Sequence, residues 1–434
     1  MSFVELPQEI LNVETKEINQ SELDLDINDF LNNDVMIVSS GTATGKTRNI
    51  AKLCKELKIV TDETEKCENY RILSIVNLIT LATEQKHTFN KISKINLYDY
   101  QVDINKLIEN DGVICINSLY KLNELNKFNP KETILYIDEV NDLIRALTHN
   151  NSMETNLIKV YEMLIYLIKN CKKIILSDAT INQNTLNLIS RREKNNKTLL
   201  IKNTNKKFSG VDAIRYYEEI EFLNQMKECI NNKKYFLFGC DSCRKITEIY
   251  LLLISENRDI ESKFKLITSE TSYRPQNASE DFVDNYIFYS PSITTGVSFV
   301  YDEIQTQFIY ITNQPKITPI SFYQMSCRTR NMEKLIYYCD TPKSREMEFN
   351  SLKEVEDKHK ISLNCNNKLL GLSRSTNERD ESLIIENTFF KIYCYNEYQD
   401  SLFWTDFLQH YENILRNNGF ELKSIGKPEK RRRN

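Results

Sequence analysis

The chain has 434 residues, 41% hydrophobic and 27% charged, with a net charge of −4. That length suits two or three domains, each able to bury a core. No run of about 18 apolar residues appears, which excludes a helical membrane span, and the first residues lack a charged-then-apolar leader, so an intracellular protein without a secretory signal is expected.

Eleven cysteines, odd in number and scattered, read as reduced thiols. Cys240 and Cys243 form one CxxC with no second Cys or His pair nearby, which reads as small residues at a strand end rather than a zinc site. Charge is uneven. Residues 1–34 hold nine acids and one base, a local charge of −8, so the remaining residues carry +4. A mildly basic body with an acidic arm can bind phosphates, because the local field outweighs the net charge.

After an acidic arm over 1–30, short runs rich in Ile, Val and Leu alternate with helical stretches, which predicts a parallel α/β sheet. The first strands are expected at 35–39, 72–76, 113–116, 134–137 and 174–177, with a helix over 155–170 before the last. They define a first lobe over 31–195. A polar, basic stretch over 191–207 reads as a linker. A second series, at 213–217, 235–238, 264–267, 286–289, 307–311 and 335–338, defines a second lobe over 208–345. From 346 to 434 the strand signal fades. The aromatic stretch 381–420 predicts a small helical C-terminal appendage, its rings serving as core, followed by a basic tail at Lys430-Arg431-Arg432-Arg433.

The first strand runs into Ser40-Gly41-Thr42-Ala43-Thr44-Gly45-Lys46-Thr47 and then a helix. Strand, tight loop, Gly-Lys-Thr and helix make a P-loop, whose backbone N–H groups point at phosphate. Lys46 is expected to reach the β and γ phosphates of ATP, and the Thr47 hydroxyl to bind Mg²⁺. Two positions depart from the usual loop: Ser40, where the strict pattern has Gly, and Ala43, where helicase loops have a Gly able to adopt φ > 0. Ile134-Leu135-Tyr136-Ile137 leads into Asp138-Glu139-Val140-Asn141. An acid at the C-terminal end of a buried strand is where such a sheet places its metal group. Asp138 is expected to hold Mg²⁺ through water and Glu139 to polarise the attacking water.

Further segments follow in order: Ile72 to Asn77 with Leu81, Ile116-Asn117-Ser118-Leu119, Ser177-Asp178-Ala179-Thr180, Phe238 to Ser242, Tyr289 to Phe299, and Gln324-Met325-Ser326-Cys327-Arg328-Thr329-Arg330. With the P-loop and Asp-Glu pair, they resemble motifs Ia to VI of superfamily 2 helicases. The Asp-Glu-Val, Ser-Pro-Ser-Ile-Thr-Thr-Gly-Val-Ser-Phe and Gln-Met-x-x-Arg-x-Arg segments look most like the herpesvirus-type replication origin-binding helicases. The resemblance covers about residues 30 to 340, and the family's separate C-terminal origin-recognition domain has no evident counterpart here. It implies two tandem RecA-like P-loop lobes and a nucleic-acid motor, located in cytoplasm, viral factory or nucleus.

Hydroxyls and small residues at strand ends let a backbone approach phosphates and donate to them. Asn77, Ser118, Ser242, Thr294 and Thr295 suit that role, each being equally able to serve as a strand-end cap. Gly296 and Gln324 are grouped with the nucleotide-binding residues. Arg328 and Arg330 are candidates for an arginine finger on the γ-phosphate. The usual spacing has the second arginine three residues after the first, where this chain has Asn331; Arg328 keeps the spacing from Gln324. The expected function is an ATP-driven DNA helicase in replication, acting on single-stranded or forked DNA with RNA as the alternative. The acidic arm would contact replication proteins. The rival readings are a duplex translocase that does not separate strands and a nucleotide-binding scaffold with weakened catalysis.

Overall fold

A computed structural model describes residues 13–63, 70–124, 128–149, 156–192, 196–271, 278–291, 299, 303–340, 346–363 and 379–426. The chain divides into two compact units. Unit 1 comprises Met1–Asn205 with Glu348–Ser401, and unit 2 comprises Lys206–Met347 with Leu402–Asn434.

In unit 1 the described elements run β1 (Val13–Ile18), α1 (Ile27–Leu31), β2 (Val35–Ser39), α2 (Lys46–Glu63), β3 (Arg71–Val76), α3 (Ile79–Ser93), β4 (Tyr98–Asp99) and β5 (Gly112–Cys115). They continue with β6 (Thr133–Asp138), α4 (Val140–His149), α5 (Leu157–Asn170), β7 (Lys173–Asp178), α6 (Gln183–Ile189) and β8 (Thr198–Asn203). The eight strands form one sheet, ordered β1-β8-β2-β7-β6-β3-β5-β4, with every pair parallel. Its central strands are buried on both faces, as their composition demands. Val35 and Ile37 of β2 join the core on one face with Leu135 and Ile137 of β6. Met36 and Val38 join the other with Ile134 and Tyr136. Each such buried side chain contributes roughly 1.5–3 kcal/mol through removal from water.

In unit 2 the elements are β9 (Asp212–Tyr216), α7 (Glu219–Asn231), β10 (Phe236–Cys240), α8 (Cys243–Glu256), β11 (Phe264–Ile267), α9 (Ala278–Asp281) and β12 (Tyr286–Tyr289). β13 (Gln305–Ile311), α10 (Pro319–Ser326) and β14 (Met332–Cys339) follow. The sheet is again parallel, ordered β11-β12-β10-β13-β14-β9-β15, its last strand coming from the C-terminal region.

Three expectations are corrected. The basic stretch 191–207 is no linker: it contains β8, which pairs with both β1 and β2, so unit 1 runs to Asn205. The acidic arm, from Val13 onward, is built into unit 1 through β1, and three of its acids are paired, Glu17 with Lys202, Glu22 with Arg48 and Asp29 with Lys16. The segment 346–434 is not an appendage of its own. Its first part, α11 (Leu352–Leu363) and most of α12 (Arg379–Thr405), belongs to unit 1; α13 (Phe407–Asn417) and β15 (Glu421–Ile425) belong to unit 2. In unit 1, Asp400 clamps Arg145 of α4 at 2.7 Å, and Asn396 bridges Asn184 of α6 and Thr148 of α4, each at 2.8 Å. In unit 2 the Tyr411 hydroxyl meets that of Ser326 on α10 at 2.6 Å, and β15 pairs with β9. Phe389, Phe407 and Tyr411 are core residues of these contacts. The basic tail at 430–433 lies outside the described residues.

Candidate active site

Strands β2, β7 and β6 are neighbours in the parallel sheet, so their C-terminal ends lie side by side. The register sets Ser39 against Asp178 and Asp138 against Ser177. The P-loop leaves from the first end, with the Ser40 N–H donating to the Asp178 carbonyl at 3.0 Å. This is where an α/β sheet presents groups to a ligand.

The loop is held by its own residues. The Ser40 and Thr44 hydroxyls meet at 2.6 Å, Asn203 Nδ2 donates to Ser40 Oγ at 3.0 Å, and Thr44 Oγ1 donates to the Gly41 carbonyl at 2.9 Å. Ser40 therefore works as a buried peg, and its φ is not in the left-handed region, so the position does not need glycine. Ala43 differs. Its φ is 72°, beside Gly45 at 77°, a conformation that costs a Cβ-bearing residue roughly 1–2 kcal/mol. The Lys46 ammonium donates to the carbonyl of Ser40 at 3.0 Å and lies 3.5 Å from that of Gly41, at the mouth of the loop. Thr42 is buried within the same turn.

Asp138 is the hub. Its Oδ2 accepts from Thr47 Oγ1 and from Gln85 Nε2, each at 3.1 Å. Its Oδ1 accepts from Ser177 Oγ at 2.5 Å and from the Glu139 N–H at 3.1 Å. Glu139 follows with φ of 49°, a strained turn that lets its carbonyl begin α4 by accepting from the Leu143 N–H. Burial holds the Glu139 carboxyl well above the usual range; the Lys46 ammonium opposes this, while Asp178, Asp138 and Asp142 add to it. Asp178 is raised to about 7, first by burial and then by Asp142. The N–H groups of Thr180 and Asn141, donating at 3.0 and 2.9 Å, pull it back down.

The remaining expected residues are dispersed. Asn77 sits at the end of β3 with its Oδ1 buried and without a partner among the described residues. The Ser118 hydroxyl pairs with that of Tyr100, whose pKa is pushed to about 12, chiefly by burial. In unit 2 the Ser242 hydroxyl caps α8 by accepting from the Lys245 N–H at 3.3 Å, which is the cap role. Thr294, Thr295 and Gly296 lie outside the described residues. Gln324 is buried on α10, and its carbonyl accepts from Arg328 Nε at 2.9 Å. Arg328 is only 5% exposed, whereas Arg330 is partly exposed, with Nη1 donating to the Cys327 carbonyl at 3.2 Å. The backbone of both is pinned to Phe299 on either side of a Phe299–Thr329 bridge. Gln85 and the peg from Asn203 carry no local signal in the sequence; Ser177 and Asp178 stand in a segment the sequence did single out, but their side-chain roles toward Asp138 and Asn141 come only with the fold.

Comparisons with known proteins agree with this architecture. The family model described as "Origin of replication binding protein" matches residues 80–234. The replication origin-binding protein of human herpesvirus 7 (strain JI) is 22% identical over 285 residues, covering 64% of this chain and 34% of that protein. The chain thus spans about a third of the length of that relative. Among solved structures, DEAD-box helicase Mss116 bound to single-stranded RNA has a TM-score of 0.53 at 12% identity, covering 87% of this chain and 93% of that one. Helicase MrfA bound to DNA and AMPPNP has a TM-score of 0.52 at 15% identity, covering 78% and 50%. Dbp5 of S. cerevisiae bound to RNA and ADP BeF3 has a TM-score of 0.52 at 14% identity, covering 82% and 89%. The resemblance carried by the motifs is borne out: the chain is similar in sequence to the herpesvirus-type replication origin-binding proteins, and it has the fold of tandem RecA-like helicase lobes.

Proposed function

We propose that the chain is an ATP-driven nucleic-acid helicase that works in DNA replication. The observation that carries this reading is the convergence on Asp138 of the P-loop Thr47 and the neighbouring strand-end Ser177, with Lys46 at the loop mouth and Glu139 one residue on. Matches to an origin-binding protein and to helicases solved with nucleotides and nucleic acids support it.

The donor set suits a nucleoside triphosphate with a hard divalent cation. A hydroxyl and a carboxylate 3.1 Å apart are oxygen donors of the kind Mg²⁺ takes, usually keeping several of its waters. Thr47 and Asp138 would hold the ion, which supplies neutralisation of phosphate charge. Lys46 and the loop N–H groups bind and orient the triphosphate. Glu139 holds the attacking water, and its raised pKa suits a group that takes a proton from it. Arg328 or Arg330 stabilises charge developing on the γ-phosphate.

In this reading Asn77 and Ser118 in unit 1, and Ser242, Thr294 and Thr295 in unit 2, address phosphates of single-stranded or forked DNA, with RNA as the alternative substrate. The exposed acids Glu14, Glu22, Asp24 and Asp26 offer a surface for replication proteins. ATP turnover with and without single-stranded DNA is the test. Stimulation supports a motor, and turnover absent under both conditions would leave a nucleotide-binding scaffold. A forked duplex separates a helicase from a duplex translocase. Binding to single strands should weaken steeply with salt and vary little with sequence, because counterion release from phosphates sets the slope.

A further inference from the structure

Helix α3 buries Leu81, Ala82, Gln85 and Phe89 along one face. Three of these are apolar, and the spacing is that of an amphipathic helix packed on a sheet. Gln85 breaks the stripe. It is fully buried, at 0% exposure, where Leu or Met would fill the same volume. Burying an amide costs roughly 1–3 kcal/mol unless its hydrogen bonds are satisfied, so its partners are informative. Nε2 donates to Asp138 Oδ2 at 3.1 Å, and Oε1 accepts from the hydroxyl of Ser74, itself fully buried on β3. The orientation is forced: a carboxylate only accepts, so the amide NH₂ must face Asp138 and the Ser74 hydroxyl must donate.

Thr47 and Gln85 share one carboxylate oxygen. If the Thr47 hydroxyl turns to a cation, Gln85 still donates to Oδ2, and the Tyr136 hydroxyl also bonds to this carboxylate. Ser177 and the Glu139 N–H hold Oδ1. The plane of the carboxylate is then set from α3, the helix that starts two residues after Asn77.

We propose that Gln85 is a positioning residue for nucleotide hydrolysis: from α3, with Ser74 behind it, it locks the Asp138 carboxylate in the orientation that receives the hydrated divalent cation. The inference rests on the nucleotide-site reading above. Partners of this kind, one shell outside the metal, typically affect metal affinity about 10–100-fold.

The test is Gln85→Met, which keeps length and volume and removes the donor. A fluorescent ATP analogue is titrated against the full chain at a series of Mg²⁺ concentrations, and ATP hydrolysis is followed over the same series. The expected result is a Mg²⁺ midpoint raised about 10-fold in both assays. Analogue affinity in EDTA should match the wild type, and turnover at saturating Mg²⁺ should stay near it. Gln85→Glu sets a carboxylate against a carboxylate and should shift the midpoint further than Met does. A wild-type midpoint in Gln85→Met overturns the proposal, even if that variant melts earlier. If Gln85→Met does not fold, Ser74→Ala carries the test: the midpoint should rise by about threefold, a smaller effect than losing the direct partner, and no shift overturns the proposal. If the wild-type chain binds no analogue at any Mg²⁺ concentration, the nucleotide-site reading has failed, and Gln85 has no ion to position.

Discussion

Thr47, in the first turn of the helix that follows β2, and Asp138, at the end of β6, lie ninety-one residues apart in the chain and meet at 3.1 Å, although β2 and β6 are not neighbours in the sheet. Their contact spans β7, which lies between them and contributes Ser177 to the other side of the same carboxylate. Lys46→Ala should therefore abolish ATP hydrolysis and leave this sheet intact. Glu139→Gln should still bind ATP but turn over at least about 100-fold more slowly, because the proton acceptor is lost while Thr47 and Asp138 remain. Circular dichroism, nucleotide binding and turnover on the same samples check both. Wild-type turnover by Lys46→Ala would remove the P-loop assignment. Loss of ATP binding in Glu139→Gln would make that residue structural.

Ala43 holds a left-handed backbone with a φ of 72°. Ala43→Gly should stabilise the protein by about 0.5–1 kcal/mol, since relief of strain exceeds the extra freedom of the unfolded chain. Thermal melting reads this directly. An unchanged or lower midpoint would mean that the loop does not hold that conformation in solution.

The pKa of Asp178 is raised from 3.8 to about 7. Between those values the folded chain keeps a proton that the unfolded chain has lost. The group's contribution to stability is full below about 4 and is lost as pH rises through about 7. Asp178→Asn keeps an acceptor for Asn141 or Thr180 and removes the titration. Its stability should fall less between about pH 5 and about pH 8 than that of the wild type. Denaturant melts at both pH values decide it, and parallel losses would show that Asp178 does not carry the effect.

Arg328 donates from Nε to the Gln324 carbonyl, four residues back, and is buried; Arg330 is partly exposed. The spacing from Gln324 favours Arg328 as the finger. Arg328→Ala should then cut single-turnover hydrolysis at saturating ATP by about 10³-fold, with a smaller effect on ATP affinity. Arg330→Ala should affect strand binding instead. Loss in Arg330→Ala alone would reverse the assignment, and loss in neither would end the role of unit 2 in hydrolysis.

The central strands and the phosphate loop were legible because their signals are local. A strand buried on both faces must be a short apolar run, as Val35 to Val38 and Ile134 to Ile137 are. A phosphate loop needs small residues in a set order, so residues 40–47 announce themselves, and the Asp-Glu pair declares itself by following a buried strand. Edge strands carry no such signal. β1 and β15 are the stretches Val-Glu-Thr-Lys-Glu-Ile and Glu-Leu-Lys-Ser-Ile, whose strand state depends on a partner edge supplied from far along the chain. The division of the C-terminal region is likewise non-local: helix α12 falls within one aromatic, helical stretch, and only the positions of Arg145, Asn184 and Thr148 decide that it packs on unit 1. The same holds within the site. Lys46, Thr47, Asp138 and Glu139 could be named because the backbone shape each requires is written beside it in sequence. Gln85 could not, because its chemistry comes from burial against Ser74, 11 residues back, and Asp138, 53 residues on, and burial is a property of the folded sheet.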